Sequence, residues 1–186
     1  ADCQLGEYQP DSGQDQCLLC ALGKFGNATA ATTCFACPAG AFRDALGGST
    51  CDLCAPGDKN AVTGQPECVN CIAGRFSNTN GSTVCTACAP GTAQASPGQE
   101  ICPACLPGFF VSVSGRAACS TCDAGTFSNT SGSTTCYDCP AGKYQSAPAS
   151  SSCIDCPVGK FNSDRGRPQC SSCPAGLFQD RNGTPA

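Results

Sequence analysis

The chain has no histidine, no tryptophan and no methionine. Without imidazole it lacks the side chain that most readily carries protons near neutral pH, and the commonest metal ligand. Large apolar residues are scarce as well: Leu, Ile, Val and Phe number 8, 3, 6 and 9, which is 26 of 186. That share, about 14%, lies below the ~20% under which a chain with no other support stays disordered. No apolar run approaches the ~20 residues that cross a bilayer. The longest, Phe109 to Val113, is five residues and includes a serine. No signal-peptide pattern is present. Charge is thin, with 10 Lys+Arg against 14 Asp+Glu and a net of −4. There is no basic stripe for nucleic acid and no amphipathic helix for a membrane surface. Asp and Glu are scattered without a repeated pair, and there is no phosphate loop and no EF-hand ligand series. These absences argue against an enzyme, a cofactor, a catalytic metal, a nucleic-acid partner and membrane contact.

What the chain does have is 21 cysteines and 22 glycines. Cysteine at about 11% exceeds the ~8–10% that marks a disulfide scaffold, so covalent staples must replace burial. Such a density of disulfides persists only in an oxidising compartment, which places the protein outside the cell or on its surface.

The cysteines form two interleaved series, each with a step of 17. One runs Cys3, Cys20, Cys37, Cys54, Cys71, Cys88, Cys105, Cys122, Cys139, Cys156, Cys173; the other runs Cys17, Cys34, Cys51, Cys68, Cys85, Cys102, Cys119, Cys136, Cys153, Cys170. The chain is therefore one continuous tandem array, 1–186, of eleven repeats that begin at 3, 20, 37, 54, 71, 88, 105, 122, 139, 156 and 173. With the opening cysteine as position 1, position 4 is glycine in all eleven repeats. Position 6 is Phe or Tyr in nine, with Lys59 and Ala93 as exceptions. Position 11 is glycine in nine, with Ala30 and Ala149 as exceptions.

The glycine at position 4 predicts a positive φ or a close backbone approach. The aromatic at position 6 is the natural cover for the disulfide and for the next repeat. Positions 7 to 11 carry turn chemistry, as in Ser77-Asn78-Thr79-Asn80-Gly81. The arms are too short to be stable strands alone. The fold class expected is a small disulfide-rich repeat in an elongated solenoid or rod, mostly loops with short β-hairpin fragments and no significant helix. Each repeat is expected to touch only its neighbours, so that stability is nearly a sum over repeats. The two repeats without an aromatic read either as a bend or docking face or as drift in a long array, and drift is the simpler reading.

Two regular disulfide schemes fit the spacing. Each CxxC can close on itself, as Cys34 to Cys37, or position 1 can bond position 15 of the same repeat, as Cys20 to Cys34. The CxxC ring is constrained, and such bonds are typically redox-active. Closing the 15-residue loop is worth roughly 3 kcal/mol in the chain-entropy model, and the turn brings its ends together. The loop-closing scheme is therefore preferred. It pairs Cys3–Cys17, Cys20–Cys34, Cys37–Cys51, Cys54–Cys68, Cys71–Cys85, Cys88–Cys102, Cys105–Cys119, Cys122–Cys136, Cys139–Cys153 and Cys156–Cys170, and leaves Cys173 unpaired. Zinc on paired CxxC motifs is disfavoured by the missing histidine and by the oxidising exterior. Thioredoxin-like chemistry lacks its surrounding βαβ pattern. One further step of 17 at either end predicts a cysteine directly before Ala1 and another directly after Ala186, so that the segment is an excerpt of a longer array.

The frame C-P-x-G-x-[FY]-x(8)-C-x-x-C, as in Cys139 to Cys156, resembles the ephrin-receptor-like cysteine-rich repeat. It is also similar to the first loop of tumour necrosis factor receptor cysteine-rich modules. In those modules the matching first two cysteines bond each other, which implies Cys139–Cys153 and its equivalents. The crossed disulfides that those modules add are missing here. Long uninterrupted arrays of this repeat look like the giant extracellular glycoproteins of algae and protists, flagellar hair (mastigoneme) proteins among them. That resemblance implies a stalk, fibre or surface coat, with a flagellum as one setting. The competing expectation is a receptor or adhesion ectodomain that binds a protein ligand. Four N-x-[ST] sequons, at Asn27, Asn80, Asn129 and Asn182, fall at position 8 or 10, on the expected loop tips. The expected partners are thus glycans and other protein chains, including copies of itself.

Overall fold

A computed structural model of the chain describes residues 2–175 and 178–183. The fold is a series of small disulfide-rich repeats, nine of them with a two-residue antiparallel ladder and the one opened by Cys88 with a single bridge, Thr92 to Ala104, and the described residues contain no helix. The chain divides into two compact bodies, Ala1–Thr86 with Ser96–Ile101, and Ala87–Ala95 with Cys102–Ala186. Both are built in the same way.

Within a repeat, positions 5 and 6 pair with positions 16 and 17, the two residues inside the CxxC. Thus Lys24 and Phe25 face Ala36 and Phe35, and Thr126 and Phe127 face Asp138 and Tyr137. The aromatic at position 6 stands opposite position 16, and where both are aromatic the rings meet at 6.0 Å (Phe25, Phe35) and 6.2 Å (Phe127, Tyr137). A turn closes each hairpin, and the N–H of position 5 donates to the carbonyl of position 2 at its base, as Lys24 to Ala21 at 3.0 Å. Two residues per strand give little ladder energy. The hairpins are therefore held from outside, by the disulfide and by the adjoining repeats.

Successive repeats are joined by three main-chain hydrogen bonds. The N–H of position 4 donates to the carbonyl of position 7 in the next repeat, from Gly6, Gly23, Gly40 and Gly57 in the first body and from Gly91, Gly108, Gly125, Gly142 and Gly159 in the second, at 2.7–3.0 Å. The N–H of position 7 donates to the carbonyl of position 12 in the next repeat, as Asn60 to Ser82, at 2.9–3.3 Å. The N–H of position 11 donates back to the opening cysteine of the repeat before, as Gly81 to Cys54, at 2.8–3.0 Å.

The core differs from the expected one in two ways. The aromatics at position 6 lie half-buried, and Phe178 is 85% exposed. The deepest side chains are the opening cysteines, Cys3 through Cys156, all at 0–1% exposure. Beside them sits position 7, buried as Asn60, Ser77, Val111, Ser128, Gln145 and Asn162. Position 7 is drawn inside because both its N–H and its carbonyl belong to the junctions on either side. The polar side chains there bond within the fold: Asn60 Nδ2 donates to the Ala41 carbonyl at 2.8 Å, and Asn162 Nδ2 to the Lys143 carbonyl at 3.0 Å.

The second difference is in the reach of each repeat. A Cβ placed on the position-4 glycine would lie 1.9–2.3 Å from the carbonyl oxygen of position 11 two repeats on, at Gly6, Gly23, Gly40, Gly57, Gly91, Gly108 and Gly125. Repeats therefore touch their second neighbours as well as their first, in place of the neighbour-only contact expected. The glycine is what permits the approach.

Candidate functional site: the disulfide ladder and the loop tips

The structure joins position 1 to position 15 in ten repeats, from Cys3–Cys17 to Cys156–Cys170, with Cα atoms 5.6–5.8 Å apart. That spacing is ordinary for a disulfide. The opening sulfur is sealed inside and the closing one is half-buried. Among the described residues Cys173 is free and partly exposed. No group of three or more His, Cys, Asp or Glu gathers there as metal ligands would.

The four sequon asparagines, Asn27, Asn80, Asn129 and Asn182, are all exposed, on or beside the hairpin turns. Their surroundings differ. Asn27 and Asn129, at position 8, precede the turn. Asn80 and Asn182, at position 10, sit within it and lead into the position-11 glycines Gly81 and Gly183, whose N–H groups donate to Cys54 and Cys156. Thr184, the last residue of the fourth sequon, lies outside the described residues.

The repeats that lack the aromatic carry shallow apolar hollows where the ring would stand. One is lined by Lys59, Ala61, Val69, Ile72, Arg75 and Val84. The other lies beside Ala93 and is lined by Pro103, Ala104, Leu106 and Phe109. At the second, an apolar position 7 compensates: Val111 packs with Ala93 and Cys105, and Phe109 and Cys119 lie against them. Elsewhere apolar side chains inside the CxxC, such as Leu53 and Ile154, face solvent.

Sequence reasoning missed position 7. A signal was present: Asn, Gln or Ser stands there in Gln9, Asn60, Ser77, Gln94, Ser128, Gln145, Asn162 and Gln179. A short amide or hydroxyl side chain that recurs directly after the aromatic suits a group bonding to nearby main chain.

The geometry describes a stapled, main-chain-bonded repeat. The model of the family described as tyrosine-protein kinase ephrin type A/B receptor-like matches residues 108–152 and 144–185. Comparison with curated proteins gives no match. Residues 108–185 are thus similar to the ephrin-receptor-like repeat, and the repeats before them keep the same 17-residue step and staples, so the chain is a tandem series of cysteine-rich units.

Proposed function

We propose that the chain is a structural segment of an extracellular glycoprotein, a stalk, fibre or surface coat, and that it performs no catalysis. The observation that carries this reading is the uniformity of the junctions. The same three main-chain bonds recur from repeat to repeat in both bodies, with no insertion between them. A segment whose contacts recur in this way extends by repetition, whereas a dedicated ligand site departs from the repeat. The exposed asparagines at the turns are the proposed attachment points for glycans, and other copies of the chain or fibre partners are its proposed protein contacts. A flagellar hair filament is the setting we favour, on the resemblance of long arrays of this repeat to such proteins.

Electron microscopy of the native particle, with an antibody to residues 108–185, tests the proposal. Label distributed along a filament or coat is the expected outcome. Label confined to isolated membrane-anchored ectodomains would overturn it.

One observation favours the receptor or adhesion reading. The hollow beside Lys59 is apolar within and carries the cations Lys59 and Arg75, without a carboxylate among its lining residues. A protein ligand presenting an apolar side chain next to an acid suits it. Loss of cell-surface ligand binding in Val69→Asp would support that reading over the first.

A further inference from the structure

The sequons differ in how the fold holds them. At Asn80 the second and third residues of the acceptor triplet lie in a junction between repeats. The Gly81 N–H donates to the Cys54 carbonyl at 2.8 Å, and the Ser82 carbonyl accepts from the Asn60 N–H at 3.0 Å. The Gly81 carbonyl oxygen lies where a Cβ on Gly40 would be only 2.1 Å away. The Ser82 hydroxyl is occupied too: it accepts from the Ser77 hydroxyl at 2.6 Å and donates to the Thr79 carbonyl at 2.9 Å. At Asn129 none of this applies. The triplet Asn129-Thr130-Ser131 contributes no main-chain group to a junction, and its only bonds are those of Thr130 to Ser128 and Ser133 of the same turn. The Asn27-Ala28-Thr29 triplet is likewise outside every junction, and all three residues are exposed.

Glycan transfer needs the triplet in an enzyme groove with the hydroxyl of its third residue free to be recognised. The amide nitrogen of the asparagine attacks the anomeric carbon of an oligosaccharide carried on a lipid pyrophosphate. The new C–N bond forms as the C–O bond to pyrophosphate breaks. Lipid pyrophosphate leaves, and the proton lost from the amide passes to a base. To enter such a groove the Asn80 triplet must give up both junction bonds and free the Ser82 hydroxyl. The other two triplets need give up no junction bond.

We infer that the sequons are of two kinds: Asn27 and Asn129 accept an oligosaccharide on the folded chain, whereas Asn80 accepts one only before its repeat stacks on the repeat before it. Asn182 shares position 10 with Asn80, and its Gly183 N–H donates to Cys156 at 3.0 Å. Glycan at Asn80 is thus a record of the order of events: attachment first, stacking second. Once folded, the exposed Asn80 side chain carries its glycan outward with the junction intact.

This inference rests on the proposed glycoprotein reading, and one experiment separates the two. The full chain is made oxidised in a host without N-glycosylation. It is then incubated with a purified oligosaccharyltransferase and a lipid-pyrophosphate-linked oligosaccharide, in parallel with the same chain reduced and alkylated. Occupancy is read at each asparagine by peptide mass spectrometry, as the ratio of folded to reduced chain, which cancels the intrinsic preference of each triplet. The expected result is a ratio near one at Asn27 and Asn129 and at least tenfold lower at Asn80. Equal ratios at Asn80 and Asn129, whether both high or both low, overturn the inference and leave the glycoprotein reading standing. No transfer to any sequon of the reduced chain overturns the glycoprotein reading and the inference with it.

Discussion

Glycine recurs at two positions of the repeat for two separable reasons. At position 4 it meets both a demand on φ and a demand on space. Gly57 has φ 91°, and a Cβ there would sit 2.3 Å from the Gly98 carbonyl oxygen, a main-chain atom that has no rotamer with which to move aside. At position 11 no main chain crowds the Cβ: Gly64 has φ 74° and an added Cβ meets nothing nearer than Ala36 Cβ at 3.5 Å, while at Gly47 and Gly81 it meets only the movable ends of Leu19 and Leu53, at 2.9 and 3.2 Å. The two alanines found at position 11, Ala30 and Ala149, are the described non-glycine residues of positive φ, at 53° and 57°. A carbonyl oxygen cannot make room for a side chain at position 4, whereas position 11 admits two strained alanines. Gly64 is therefore an internal control, with a positive φ and no close main-chain contact. Gly64→Ala should then cost about 1–2 kcal/mol, the strain of a left-handed alanine, whereas Gly57→Ala should exceed roughly 3 kcal/mol once overpacking is added. Denaturant unfolding of the two variants checks this, and equal costs would remove the second-neighbour contact from the account. In the opposite direction, Ala149→Gly should stabilise by about 0.5 kcal/mol, the relief of strain less the entropy of the extra glycine.

A hairpin of two-residue strands has no stability of its own, so each element is defined by what surrounds it. The buried amide of Asn60 illustrates this. Its Nδ2 donates to the Ala41 carbonyl in the preceding repeat, and its Oδ1 accepts from the Val62 N–H of its own turn, at 3.2 Å. One side chain thus orders its own turn and ties it to the previous hairpin. Asn60→Leu should cost about 1–3 kcal/mol, because it strands buried main-chain groups. Lys59→Ala, at the half-buried neighbouring position, should cost less than about 0.5 kcal/mol. Amide hydrogen exchange at Val62 reports the difference locally, and unchanged protection in Asn60→Leu would show that the bonds contribute nothing. Much of this fold was legible in the sequence, since cysteine spacing, invariant glycine and turn residues are carried by residue identity. The 17-residue step, the hairpins and the exposed sequons all follow from such signals. Position 7 was not legible as core because its burial is imposed by main-chain bonds to two other repeats, and Gly26, Arg43, Asn60 and Val111 satisfy it equally. The aromatic at position 6 misled for the converse reason. It is the largest recurring apolar group, yet its strand has no third strand or helix to pack upon, and it stays half-buried. The second-neighbour contact has no signal beyond the glycine itself, which a tight turn alone would explain.

For the molecule as a whole, the sealed opening sulfurs leave no second core to fall back on. The described buried residues outside the staples are few and small: Ala41, Ala93, Val111 and the polar residues of position 7. Ten loop closures at roughly 3 kcal/mol each dwarf what so little apolar burial can supply. Full reduction should therefore unfold both bodies, with loss of amide protection at the junction glycines Gly81 and Gly132. A reduced chain that keeps those amides protected would disprove the primacy of the staples. The junctions carry a different implication, and it concerns inheritance. The bonds common to them are peptide group to peptide group, so a junction does not depend on which two repeats it joins. If residues 54–70 were excised, Cys71 would inherit the bonding partners of Cys54, and every donor would again find an acceptor. Unequal recombination between copies can thus drop or add whole repeats without producing a misfolded product. Alleles of this array in a population should differ in length by multiples of 17 codons, and long-read sequencing of the locus would show it. Length, which in most proteins is fixed by the fold, becomes here a trait on which selection can act directly.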